Sequence, residues 1–217
     1  MTDKKLTLII GNKRYSSWSM RPWIALKVAG IEFEETLSPF DWDTMNEHFW
    51  AFSPTRKVPV LIHGEQTVWD SLAILETLHE LFGDAGLWPA DPRARAHARA
   101  VANEMHGGFT ALREQCPMNM ARVPGAIDHT ADLDADIKRI ETLFADCLER
   151  YAGPFLFGAF GIADAMYAPV INRFEVYELS DAPAVAQYSA AIKALPAWQQ
   201  WERDARAEPW VLDFVEV

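Results

Sequence analysis

Ser16 and Ser17 stand side by side, with Ser19 two residues further on, between the apolar run "KLTLII" and an amphipathic stretch opened by Arg21 and Pro22. No histidine or acid lies close enough in sequence to turn a serine into a nucleophile. The chemistry open to these hydroxyls is therefore donation: a hydrogen bond to the charged form of a group lowers that group's pKa. A thiol held beside Ser16 Oγ at the start of a helix becomes a thiolate near neutral pH. The plainer role is capping, since serine is a preferred residue at a helix N-terminus, and one of the three is expected to fill it, with Ser17 better placed than Ser16 because it lies one residue nearer the helix.

Two further pairs point to chemistry of the same kind. Val58-Pro59 opens the run "VPVLI". Proline cannot donate a ladder hydrogen bond. It reads either as a trans residue on an edge strand or as a cis residue that turns the Val58 N–H and C=O outward, ready to pair with an extended peptide as an added strand does. Asp70-Ser71 precedes "LAILETLHELFG". As a plain N-cap it satisfies the free N–H groups of a helix. As a binding site it offers those groups to a carboxylate while Asp70 accepts from an ammonium, and a ligand carrying both is an amino-acid end such as a γ-glutamyl group. Arg21 has two readings as well, partner to an acid such as Glu104 or source of positive potential beside the thiol.

The elements that must position these residues follow from the pattern. Residues 5–10 read as a strand, 21–30 as a helix stopped by Gly30, 33–37 as a short strand and 41–53 as a helix ended by Pro54. Residues 58–69 read as a hairpin with Gly64 in its turn, and 71–83 as an amphipathic helix. Alternation of this kind implies a sheet covered by helices. The stretch "DAGLWPADPR" is rich in proline and glycine and reads as a linker. Beyond it the pattern is helical, over 93–114, 132–151, 162–178, 185–195 and 197–207. The expected organisation is thus an α/β domain over 1–83, a linker over 84–92 and an all-helical domain over 93–217.

The whole chain sets limits. Its 217 residues carry a net charge of −11, which argues against an unaided grip on nucleic acid or anionic lipid. Cys116 and Cys147 give no disulfide framework, and no two of the six histidines share a metal-ligand spacing, so no metal is expected. The start "MTDKKLTLII" lacks the features of a signal peptide, and no run is apolar enough to predict a membrane span. The expectation is a soluble, cytoplasmic protein.

In their order along the chain, strand–serine–helix, Val-Pro and Asp-Ser resemble the glutathione transferase family, whose fold joins a thioredoxin-like N-terminal domain to an all-helical C-terminal domain. "SSWS" looks like the "SSCS" signature of the zeta class, "SPTRKVPVL" is similar to the segment around the family's cis-proline, and "DSLAILETL" to its γ-glutamyl site. Where the zeta signature has cysteine, this chain has Trp18, a different wall beside the thiol. The resemblance covers essentially the whole chain and implies an enzyme with glutathione as co-substrate. Ser16 would be the activating hydroxyl, with Ser17 close enough to substitute and Arg21 adding positive charge. Lys57, Val58, Pro59, Asp70 and Ser71 would bind glutathione. The implied reaction is attack of the thiolate on a small electrophile, with isomerisation of the maleylacetoacetate type or a non-catalytic binding role as alternatives. It also implies a homodimer.

Two segments of the helical half complete the reading. In the family, the helix corresponding to 103–122 faces the active site, so Trp18, His106, Phe109 and Arg113 are expected to wall a second-substrate pocket, with Arg113 and Arg122 available to an anionic co-substrate. His106, Phe109 and Arg113 fall on neighbouring positions of one helical face. Cys116 reads as packing. "GIAD" matches the family's Ser/Thr-x-x-Asp capping box with Gly161 at the cap, so that Asp164 is expected to bond back to the cap's N–H groups.

Overall fold

The computed structural model describes residues 5–216, without the side chain of Phe214. Four strands form one sheet in the order β2-β1-β3-β4, from β1 (Leu6–Ile10), β2 (Glu34–Leu37), β3 (Val60–His63) and β4 (Gln66–Trp69). β1 pairs parallel to β2 and antiparallel to β3, with Leu8 opposite both Glu35 and Leu61. The parallel pair needs a crossover, and α1 (Ser17–Val28) supplies it. Period-two alternation divides β1 between two cores: Leu6, Leu8 and Ile10 face the main one, while Ile9 joins Phe49, Val58 and Val60 on the opposite face. β2 is exposed throughout and carries two glutamates, which suits an edge strand.

α2 (Ser71–Leu81) follows β4, and the remaining helices are α3 (Pro92–Gly107), α4 (Thr110–Gln115), α5 (Ala131–Tyr151), α6 (Ile162–Val176), α7 (Pro183–Lys193) and α8 (Pro196–Ala207). The result is an α/β sheet domain joined to an all-helical part, as the pattern predicts. One continuous core runs through both. Trp23 of α1 packs edge-on against Trp201 of α8 at 5.1 Å between centroids, and Leu87 and Trp88 of the connecting stretch are buried in it.

Two expected helices differ. Residues 41–53 form a turn and then a short 3-10 helix, Glu47–Ala51. Asp41 and Asn46 cause this: Asp41 accepts from the N–H and hydroxyl of Thr44, Asn46 Oδ1 accepts from Asp41 N–H, and Met45 and Asn46 take positive φ of 52° and 57°. Short polar side chains here outbid the helical ladder for backbone groups. The long helix expected over 93–114 is broken between α3 and α4. Gly108 is extended there, and a Cβ on it would lie 2.6 Å from the Glu104 carbonyl oxygen. Phe109 then takes φ 55° before α4 starts. The Asp164 box forms as expected. Its carboxylate accepts from Gly161 N–H and Leu156 N–H, both at 2.9 Å, and from the Tyr188 hydroxyl at 3.0 Å.

Candidate active site

The end of β1, the start of α1, the loop before β3 and the start of α2 meet around a cavity of about 710 Å³. Its lining includes Ser16, Ser17 and Trp18, then Lys57, Val58 and Pro59, then Asp70 and Ser71. Backbone geometry brings them together. Gly11 ends β1 so close to Phe40 that a Cβ would sit 2.7 Å from the ring, and its N–H donates to Ser19 Oγ at 3.1 Å. The Val58-Pro59 peptide is cis. Ser53 Oγ fixes the approach to it, accepting from Lys57 N–H at 3.1 Å and donating to Lys57 C=O at 2.7 Å.

The serines divide their roles differently from the expectation that Ser17 caps the helix. Ser16 is the N-cap residue. Its Oγ accepts from Ser19 N–H at 3.4 Å and donates to Ser19 Oγ at 2.7 Å. Ser17 is the first residue of α1, and its Oγ accepts from Arg173 of α6 at 3.3 Å. The turn places the cap one residue earlier because Ser16 N–H already closes on Asn12 C=O at 2.8 Å, leaving Ser16 as the half-in residue.

Asp70 takes φ 75°, in the left-handed region that a non-glycine residue occupies at a cost and that clusters at binding sites. One carboxylate oxygen caps α2, accepting from Leu72 N–H and Ala73 N–H at 3.0 and 3.2 Å. The other lies 3.3 Å from His106 Nε2 of α3. Asp70 is 40 % exposed at the side chain and lines the cavity, so a cation held there can approach it. Burial chiefly, and then Arg21 and Arg113, hold His106 below its ordinary pKa against the opposing pull of Asp70.

Arg21 does not pair with Glu104, which forms a two-pronged pair with Arg139 instead, at 2.5 and 2.8 Å. It is almost wholly buried, donates to Ser71 Oγ at 3.3 Å and stacks on the Trp18 indole at 4.1 Å. Burial, followed by repulsion from Arg173 and Arg113, brings its pKa down to about 9. Arg113 lies 5.6 Å from the same indole, on α4. Arg173 is buried, donates to the carbonyls of Cys116 and Arg113, and is brought to about 10, again chiefly by burial. Among the described residues none of these three guanidinium groups has a carboxylate within ion-pair distance. Arg21 and Arg113 thus both lie against Trp18, with Asp70 acting on the first and Asp136 and Glu114 on the second through space, while Arg173 stands behind Ser17.

The expected second-substrate wall forms only in part. Trp18 lines the cavity, while His106 and Arg113 are outside its lining and lie against Trp18, His106 edge-on at 5.3 Å and Arg113 at 5.6 Å. Phe109 is buried against Tyr167 in the core, because the break at Gly108 rotates it inward. Arg122 is not among the lining residues of the cavity and ties a loop through the carbonyls of Val123 and Val176. Cys116 is buried, and burial pushes its thiol up to about 11. The sequence reading omits Tyr15, Phe40, Trp42 and Met45, which also line the cavity. It also omits Arg173, whose signal is a lone cation inside the apolar run "MYAPVINRF".

The comparisons accord with this geometry. The family described as "Glutathione S-transferase, N-terminal domain" matches residues 15–81, and "Glutathione S-transferase, C-terminal domain" matches residues 95–204. A protein of Caenorhabditis elegans named probable maleylacetoacetate isomerase is 27% identical over 91% of this chain and 93% of its own length. Glutathione S-transferase 1 of Dianthus caryophyllus is 30% identical over 72% of each chain. A glutathione transferase homolog from Burkholderia, solved with bound glutathione, superposes with a TM-score of 0.72 at 26% identity, covering 94% of this chain and all of that one.

Proposed function

Because the chain belongs to the glutathione S-transferase family, we propose that it holds glutathione extended along Val58 and presents the thiolate to a small anionic electrophile. The observation that carries this reading is that Ser16 and Ser17, the cis Val58-Pro59 pair and Asp70-Ser71 all line one cavity. The γ-glutamyl carboxylate meets the N-terminus of α2 and Ser71, and its ammonium meets the outer oxygen of Asp70. The glycyl end lies toward Lys57. Ser17 is the better donor to the sulfur. The Ser16 proton is committed to Ser19, whereas Arg173 donates onto Ser17 Oγ, which leaves the Ser17 proton for the thiolate and strengthens it as a donor. The thiol proton passes to solvent, and the sulfur lone pair attacks the electrophile.

The positive charge of Arg21 and Arg113 against Trp18 favours a carboxylate-bearing electrophile. It also supports isomerisation as a second outcome: the thiolate adds to an activated double bond, the new single bond rotates, and elimination returns the thiolate. The likeness to the C. elegans protein named probable maleylacetoacetate isomerase points the same way.

Calorimetry with glutathione tests the first step. Asp70→Ala is expected to weaken binding about tenfold, the loss of one charge-assisted contact; equal affinity in both proteins rules out the γ-glutamyl assignment. An unsaturated diacid and its neutral diester test the second. The diacid is expected to react or isomerise faster, and a preference for the diester defeats the anionic reading.

A further inference from the structure

The turn that precedes the serines is held from the far end of the chain. Residues 12–15 fold tightly, with Tyr15 N–H and Ser16 N–H both donating to Asn12 C=O, at 3.2 and 2.8 Å. The two N–H groups before them, of Lys13 and Arg14, point out of the turn and converge on the two oxygens of one carboxylate. Glu208 Oε1 accepts from Lys13 N–H at 2.7 Å and Oε2 from Arg14 N–H at 3.0 Å. Successive N–H groups arranged in this way make an anion-binding concavity, and here a side chain of the protein fills it. Glu208 is the first residue beyond α8. The chain after it adds two bonds to Tyr15, whose hydroxyl donates to Glu216 at 2.6 Å and accepts from Leu212 N–H at 3.2 Å. Lys13 Nζ, nearly buried, pairs with Asp204 at 2.7 Å and Glu35 at 2.8 Å.

We propose that Glu208 is a positioning residue for the thiol site: its carboxylate clamps the turn at Lys13 and Arg14 and thereby sets the direction of the Ser16 and Ser17 hydroxyls, without lining the cavity itself. The path is short. Asn12 C=O receives Ser16 N–H, so the orientation of the turn passes directly to the cap of α1. The Asn12 side chain also receives Phe40 N–H at 2.8 Å, so the same turn holds another residue of the cavity lining. Without the clamp both N–H groups lose their acceptor, the turn relaxes, and the hydroxyl-to-sulfur alignment goes with it.

The consequence for the thiol rests on the glutathione reading above; the clamp itself does not. Two variants, Glu208→Ala and Glu208→Gln, are read in two ways. Amide hydrogen exchange at residues 13–17, without glutathione, is expected to speed up about tenfold or more in Glu208→Ala, less in Glu208→Gln, and to return toward wild type when acetate refills the concavity. The ultraviolet absorbance of bound thiolate then gives the pKa of the sulfur. It is expected to rise by about one unit in Glu208→Ala, a tenfold smaller thiolate fraction at a given pH, with acetate reversing the change. Exchange unaltered in both variants overturns the clamp. Faster exchange with an unmoved thiol pKa overturns the positioning role. If the wild type does not acidify the thiol at all, the glutathione reading is what fails, and the exchange result still decides the clamp. Should Glu208→Ala not fold, Glu208→Gln keeps the volume and one acceptor and carries the same two readouts.

Discussion

At the scale of single residues the site works by committing some hydrogen bonds so that others stay available. Ser16 spends its oxygen and its proton on Ser19, Asp70 spends one oxygen on α2, and Arg21 is drawn away from solvent to Ser71 and Trp18. What is left over is the Ser17 proton and the Asp70 oxygen beside His106, an imidazole that burial holds toward its neutral form. Ser17→Ala is therefore expected to raise the pKa of bound glutathione, read by thiolate absorbance, with little loss of stability. Ser16→Ala is expected to lower stability by about 1 kcal/mol in denaturant titration, as a lost N-cap does. The opposite pattern would return the activating role to Ser16. Arg113→Met is expected to raise KM for the diacid several-fold and leave the diester unchanged; equal effects on both would remove Arg113 from anion binding.

At the scale of elements, the short connections decide where the side chains of α1, α3 and α6 arrive. Gly108 is one such point. Gly108→Ala drives a Cβ into the Glu104 carbonyl and is expected to destabilise by about 1–3 kcal/mol, as a forced backbone shift does, while displacing Arg113. Unchanged thermal stability would mean that the break tolerates a side chain. Asp164 is the other point. Its carboxylate is fully buried and satisfies two N–H groups and the Tyr188 hydroxyl, and desolvation pushes its pKa up to about 6 despite them. Asp164→Ala strips all three partners and is expected to lower stability by about 3 kcal/mol or more. A loss under about 1 kcal/mol would show that water replaces the carboxylate. The amphipathic helices and the hairpin are legible in the sequence because their apolar spacing repeats. The 41–53 turn and the break at Gly108 are not, because each depends on one or two local hydrogen bonds or a single close approach that leaves the hydrophobic pattern unchanged.

At the scale of the whole molecule, the sheet part and the helical part share one core, with Trp23 on Trp201 and Arg173 reaching Ser17. A single unfolding transition is expected, coincident by circular dichroism and tryptophan fluorescence; two separate transitions would show independent domains. The core also sets the alkaline limit. Burial raises Cys147 from 9.0 to about 12 and Cys116 from 9.0 to about 11. Above pH 9 the unfolded chain therefore releases thiol protons that the native chain keeps, the native state binds more protons, and stability falls as pH rises through that window. Replacing both cysteines by alanine or valine should flatten this decline. Trp42, Met45, Trp50 and Trp69 remain 45–61% exposed, and all but Trp50 line the candidate active-site cavity. With closed two-fold assemblies the commonest, we expect sedimentation at twice 24.5 kDa, and a clean 24.5 kDa species would refute it.

By itself the sequence determined the things that local chemistry controls: most of the strands and helices, though not the 41–53 turn or the break at Gly108, that an α/β half precedes a helical half, and that Ser16-Ser17, Val58-Pro59 and Asp70-Ser71 are the groups to watch. Periodicity, caps and proline act within a few residues, so they are visible in a linear text. Tertiary structure alone decided which serine caps, that Arg21 ignores Glu104 for Ser71, that Phe109 turns into the core, and that Arg173 and Glu208 reach the serine turn from 156 and 194 residues away. Those outcomes depend on which buried donor finds which acceptor first, a competition settled by distances of a few tenths of an ångström between elements far apart in the chain, as at Ser17 and Arg14.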